Sequence, residues 1–179
     1  MRIILTFFLL ILSALSFGQT VQFDYGGQIT NYETGKKETG VKVTVTSNGV
    51  TLATSVTASN GKYIIKFDSP AQSKYDIVFS KAGFVSKRVS FDLKDLNTDG
   101  MKDGLKLSPL EDLSLEIFPV KLDIDFSFLE NEPVALFTAD SKSTNLKLDV
   151  SASQRMKQKI EGLLDNSANT FDNTDVKYN

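Results

Sequence analysis

Residues 41–91 read VKVTVTSNGVTLATSVTASNGKYIIKFDSPAQSKYDIVFSKAGFVSKRVSF, and this stretch decides the fold. Val41, Val43 and Val45 alternate with Lys42, Thr44 and Thr46, giving a strand with one apolar and one polar face. Tyr63, Ile65 and Phe67 repeat the pattern, as do Tyr75, Ile77 and Phe79. Turn signals close each run: Asn48-Gly49, Asn60-Gly61, Pro70 and Lys81-Ala82-Gly83. Asn48-Gly49 is the strongest, because both residues tolerate the positive φ of a two-residue hairpin turn. A further strand is expected over residues 84–93. Short alternating runs without a helical period predict a mainly β fold, an antiparallel β-sandwich.

Upstream, residues 21–30 read as a first strand, with Gly26-Gly27 marking a bulge or a close approach of backbone. Residues 31–40 are polar, Gly-punctuated and read as a loop. Downstream of residue 93 the pattern loosens into an extension, residues 94–165. Its strand candidates are residues 105–110, the Leu113/Leu115/Ile117 set, and Leu122/Ile124/Phe126/Phe128 after Pro119. Residues 134–137 and Leu146/Leu148/Val150 complete them. Ser151 or Ser153 can cap a helix ending near Asp165, with Met156, Ile160, Leu163 and Leu164 on one stripe and Arg155, Lys157 and Lys159 opposite. Residues 166–179 are almost free of apolar side chains and are expected to be a disordered tail.

Arg2, the apolar run of residues 3–12 and the small residues of 13–18 together read as a signal peptide, residues 1–18. The other reading of that segment is a retained membrane anchor. Removing it leaves about 160 residues without a membrane span, enough for one ordinary domain plus an extension. The expected location is therefore exported, periplasmic or extracellular. The chain contains no Cys, so neither a lipoprotein anchor nor a disulfide framework is available, and its core must hold the fold unaided. It contains no His, which removes the commonest general base and transition-metal ligand. Twenty Lys and Arg face 22 Asp and Glu, a near balance that argues against nucleic acid as a partner. The charge is uneven: residues 31–91 carry a net +5 and residues 92–132 a net −7. Solvated strand faces are the simplest account of that split.

The order of motifs carries a family resemblance. A strand ending in GQIT, then TG, GVKVTV, the turn-strand TASNGKYII and finally YDIVFSKAGF resembles the carboxypeptidase regulatory-like domain, a transthyretin-like β-sandwich. The resemblance covers about residues 21–93 of an expected domain of residues 19–93 and rests on Gly27, Gly35, Gly40, Val41, Val43, Gly61, Tyr63, Ile65, Gly83 and Phe84; Asn60 stands where the family more often has Asp. It implies an accessory or adhesive module without chemistry of its own, by analogy of fold. The stretch FLENEPVALF and the Lys-rich helix after it look similar to extensions of exported Bacteroidetes-type proteins.

The sharpest chemical candidate is a calcium loop formed by Asp95, Asn97, Asp99, Met101 (through its carbonyl) and Asp103, with Gly100 at the sharp turn. Lys106 replaces the bidentate carboxylate such loops carry at their twelfth position, which weakens the match. Asp123 and Asp125 would share one face of a strand, and Glu130 and Glu132 a turn; such carboxylates more often keep an edge soluble than cleave a glycoside. With no Trp, glycan stacking would fall to Tyr25, Tyr32 and Tyr178, since Tyr63 and Tyr75 are assigned to the core. Without His, a Ser nucleophile would need Lys as its base, and no S-x-x-K motif is present. The expected function is a non-enzymatic cell-envelope protein that binds or scaffolds a protein or glycan, with no catalytic residues and no cofactor other than the calcium considered. A calcium-stabilised adhesion or carbohydrate-binding module is one alternative, and an accessory subunit of an outer-membrane or secretion complex the other.

Overall fold

In chain order the elements are β1 (Thr20–Asn31), β2 (Lys42–Ser47), β3 (Val50–Val56), β4 (Lys62–Pro70), β5 (Lys74–Ser80) and β6 (Lys87–Asp92). They are followed by β7 (Lys106–Leu107), β8 (Leu115–Ile117), α1 (Phe128–Asn131), β9 (Ala135–Ala139), β10 (Leu146–Leu148) and α2 (Val150–Asp172). The structure is a computed structural model that describes residues 20–71, 73–97, 106–107, 113–139 and 146–172. Residues 1–18 of the expected signal peptide and the last residues of the expected tail lie outside these. The helix runs on past Asp165, where its apolar stripe ends, to Asp172.

The strands form the expected two-sheet sandwich. In the first sheet β1 is central, antiparallel to β4 from Thr20 opposite Pro70 to Gln28 opposite Lys62. On its other side β1 pairs in parallel with β7 and, further along, with β8. The second sheet has the order β10-β9-β6-β5-β2-β3, antiparallel except where β6 runs parallel to β9. Asn48 and Gly49 adopt φ of 49° and 78° and close the β2–β3 hairpin as their sequence demands. Asn60-Gly61 also turns, but it carries the chain from the second sheet to the first. The Asn60 side chain accepts the Lys62 N–H at 3.0 Å, a bond that Asp would make equally well. The extension adds β7 and β8 to one sheet and β9 and β10 to the other, so both sheets are finished by residues downstream of 93.

Between the sheets lies a layer of aromatic rings. Tyr75 stacks on Phe91 at 4.6 Å between centroids and Phe91 on Phe137 at 5.0 Å, while Phe23 stacks on Phe67 at 4.9 Å. Tyr25 and Tyr75 are fully buried among them, and their hydroxyls hydrogen-bond each other. Burial pushes both phenol pKa values up, so the pair stays neutral. Tyr25→Phe is expected to cost about 1–3 kcal/mol by leaving the Tyr75 hydroxyl without its partner, whereas the double Phe variant should cost less than either single change. Urea unfolding of the three variants checks this; additive losses would mean the two hydroxyls act independently.

Three strand expectations are corrected. Leu122, Ile124, Phe126 and Phe128 make no strand: Asp125 accepts the Ser127 N–H at 2.8 Å and starts a turn that leads into α1. Phe126 and Leu129, three apart, then bury together near Phe118 while Leu122 stays fully exposed. Asp123 and Asp125 therefore share no strand face. Strand β6 begins at Lys87 instead of Phe84, because Val85 N–H donates to the Phe118 carbonyl (3.0 Å) and Val120 N–H to that of Gly83 (2.9 Å). Finally, Val150 belongs to α2 and not to a strand, and Asp149, not Ser151 or Ser153, supplies the cap by accepting the Ala152 N–H at 2.9 Å. The stripe of Met156, Ile160 and Leu164 packs with Val85, Phe118, Phe126 and Leu129 as a second, smaller core. Lys159 fixes α2 to α1, lying 3.8 Å from the Phe128 ring centre and 3.2 Å from a Glu132 carboxylate oxygen.

Candidate functional site

The extension leaves a cleft of about 750 Å³ on the side of the sandwich covered by α2. Leu113, Ser114, Leu115 and Glu116 form one wall, and Ala135, Phe137, Leu146 and Leu148 from β9 and β10 another. Helix α2 contributes Ser153, Met156, Lys157, Ile160 and Glu161, while Lys87 and Val89 come from β6. Its size and mostly apolar lining are those of a small-molecule site.

Lys87 is the unusual member. Along β6 the buried positions are Lys87, Val89 and Phe91, so a cation occupies the inward register of a core strand. It is 9 % exposed, with Nζ 4.7 Å from the centre of the Phe118 ring. Burial pushes its pKa down to about 8, against the opposing pull of Glu116. Glu116 is itself exposed, and among the described residues no carboxylate stands within ion-pair distance of Lys87. The other cation of the cleft, Lys157, lies 3.7 Å from Glu161 one helical turn away. The Ser153 hydroxyl, on the helix wall, is buried without a hydrogen-bond partner. Lys87 and the Ser153 hydroxyl are thus the buried polar groups of a lining that also carries Tyr32, Ser114, Glu116, Lys157 and Glu161, and they have less internal compensation than burial requires.

This arrangement has a cost that pH should reveal. Below about pH 8 Lys87 is protonated in both folded and unfolded chains, and the full burial penalty is present. Between about 8 and the ordinary value of 10.5 the unfolded chain binds the proton more, so the Lys87 contribution to stability rises with pH. The other charged groups that line the cleft are Glu116, Glu161 and the exposed Lys157. Lys87→Met is therefore expected to be more stable than the parent at pH 7, by about 1 kcal/mol or more, with the advantage shrinking towards pH 10. Urea unfolding at the two pH values checks it. A variant less stable than the parent at pH 7 would mean that the ammonium is held by compensating contacts.

The sequence-predicted site residues are placed elsewhere or fall outside the description. Of the calcium loop, Asp95 and Asn97 follow β6, whereas Asp99, Met101 and Asp103 lie outside the described residues. Tyr25 is withdrawn as a stacking surface, because it faces the core at 0 % exposure. Tyr63 and Tyr75 are buried as expected, Tyr178 is outside the described residues, and Tyr32 is exposed and lines the cleft. Glu132 is engaged with Lys159. The Gly, Val, Tyr and Ile residues at 27, 40, 41, 43, 61, 63 and 65 serve turns, close approaches and the core; Tyr63, for example, donates its hydroxyl to the Leu113 carbonyl at 2.8 Å. Sequence reasoning missed Lys87, although the signal was present: KRVSF alternates with Lys on the apolar register.

Among the described residues no helix is long and apolar enough to cross a membrane. No protein-family model matches the chain, and no curated protein matches it either. Solved structures do match over part of it. The Bacillus anthracis TIE protein is 16% identical with a TM-score of 0.35, over 57% of this chain and 18% of its own. A 5-hydroxyisourate hydrolase of Klebsiella pneumoniae is 21% identical with a TM-score of 0.34, over 57% and 92%. The group B streptococcus pilus 2b backbone protein is 15% identical with a TM-score of 0.31, over 57% and 41%. Likenesses this distant carry no argument about activity.

Proposed function

We propose that this chain is a non-enzymatic, exported module of the cell envelope that acts by binding, through the cleft between α2 and the sandwich. The observation that supports the reading is the cleft itself: about 750 Å³, with a lining whose exposed surface is mainly apolar and into which Lys87 is set. The N-terminal apolar run supports export, and without Cys the core must hold such a chain together unaided. The finer likeness to the carboxypeptidase regulatory-like domain fits the same reading, since its signature glycines and core residues are used up by turns and packing. Hydrogen exchange of the chain with and without solubilised envelope material tests the proposal. Protection concentrated in residues 113–117, 134–139 and 150–165 is expected. Protection confined to β3 and β4, or none at all, would overturn the cleft as the binding surface.

A further inference from the structure

We propose that the cleft takes an amphiphilic carboxylate, with the acid head group paired to Lys87 and the hydrocarbon part lying along Leu115, Val134, Leu146 and Leu148. The inference rests on the binding reading above and specifies its ligand class. Three features of the site converge on it.

The first is charge. Lys87 occupies an inward strand position that an aliphatic residue would fill at lower cost; of the two carboxylates that line the cleft, Glu161 is paired with Lys157 and Glu116 is exposed and beyond ion-pair distance of Lys87. An anion entering the cleft would supply the partner that the fold withholds, and the pairing would be formed away from bulk water, where it is strong. The second is the apolar surface around that charge. Leu115, Val134, Leu146 and Leu148 line the cleft and remain part-exposed, over a floor of Val89, Phe137, Met156 and Ile160 that is already buried. A free inorganic anion would leave this surface wet, whereas a hydrocarbon chain covers it, at about 25 cal/mol for each Å² of apolar area removed from water. The third is the Ser153 hydroxyl, a buried group without a partner on the same lining. It offers a hydrogen bond to a ligand oxygen or to a water that the ligand holds. A basic or cationic ligand would repeat the charge of Lys87.

The test uses the full chain and dodecanoate, followed by isothermal titration calorimetry below the micelle concentration, with dodecanol and acetate as the comparison ligands. The expected result is saturable binding of one dodecanoate per chain, at least tenfold tighter than dodecanol, with acetate not detected. Lys87→Met, which keeps the apolar volume, should weaken dodecanoate at least tenfold and change dodecanol by less than twofold. Dodecanol binding as tightly as dodecanoate, or equal losses of both ligands in Lys87→Met, would overturn the role of the head group. Acetate binding as tightly as dodecanoate would overturn that of the hydrocarbon. No saturable dodecanoate binding would overturn the ligand class altogether. In that case cleft protection by envelope material still leaves the binding module standing, and the absence of both removes the two readings together.

Discussion

Phe91→Ala is expected to cost about 4 kcal/mol, the upper part of the range for truncating a buried aromatic side chain. Phe91 is 1 % exposed and sits between Tyr75 at 4.6 Å and Phe137 at 5.0 Å, with Tyr25 at 5.3 Å. Its ring therefore joins the first part of the sandwich to the strand that the extension supplies. Removing it opens a cavity lined by rings that rigid strands hold apart, so collapse can recover little. In a chain of this size the melting temperature should fall by roughly 10 °C. Phe84→Ala is the control: its ring is only half-buried, beside the Lys81 ammonium at 4.9 Å, and the loss there should be much smaller. Comparable losses from the two variants would contradict the stack as the centre of the core.

Gly27→Ala is expected to be nearly as damaging, by about 3 kcal/mol, through overpacking against backbone that cannot rotate away. A Cβ at Gly27 would collide with the Leu113 carbonyl, lying 2.6 Å from its carbon and 3.0 Å from the Ser114 nitrogen. The segment it would displace is held by a bond from Leu113 N–H to the Gly26 carbonyl at 2.9 Å and leads directly into β8. Its neighbour supplies the comparison. A Cβ at Gly26 meets nothing closer than the Tyr63 carbonyl oxygen at 3.4 Å, an ordinary contact, so Gly26→Ala should cost under about 1 kcal/mol. Denaturant unfolding measures both changes, and amide exchange at Leu113 should quicken in the Gly27 variant alone. Equal effects at the two positions would show that strand propensity, not close approach, explains the pair of glycines.

Much of the site's surroundings was legible from residue order. The Gly26-Gly27 pair announced a close approach, although not which backbone would make it. The stripe of Met156, Ile160 and Leu164 announced one face of α2, although not that the face would close a second core with Val85 and Phe118. Tyr25 could have been placed correctly, since Val21, Phe23 and Tyr25 alternate on one register and all three are buried. Lys87 was hidden by its chemistry: a charge on an apolar register reads as a frayed strand until the partner strands show that the register is kept.

By itself the sequence determined the strands of the sandwich, the Asn48-Gly49 hairpin and the amphipathic helix, because these depend on alternation, turn chemistry and period within a few residues. Only the tertiary structure decided that β8 lies parallel to β1 and β9 parallel to β6, so that residues downstream of 93 complete both sheets. Those pairings join positions dozens of residues apart, and backbone hydrogen bonds carry no side-chain signature of the partner they will find. The cleft is a product of the same closures. It exists where two late strands and a helix meet around Lys87, and no local pattern contains that meeting.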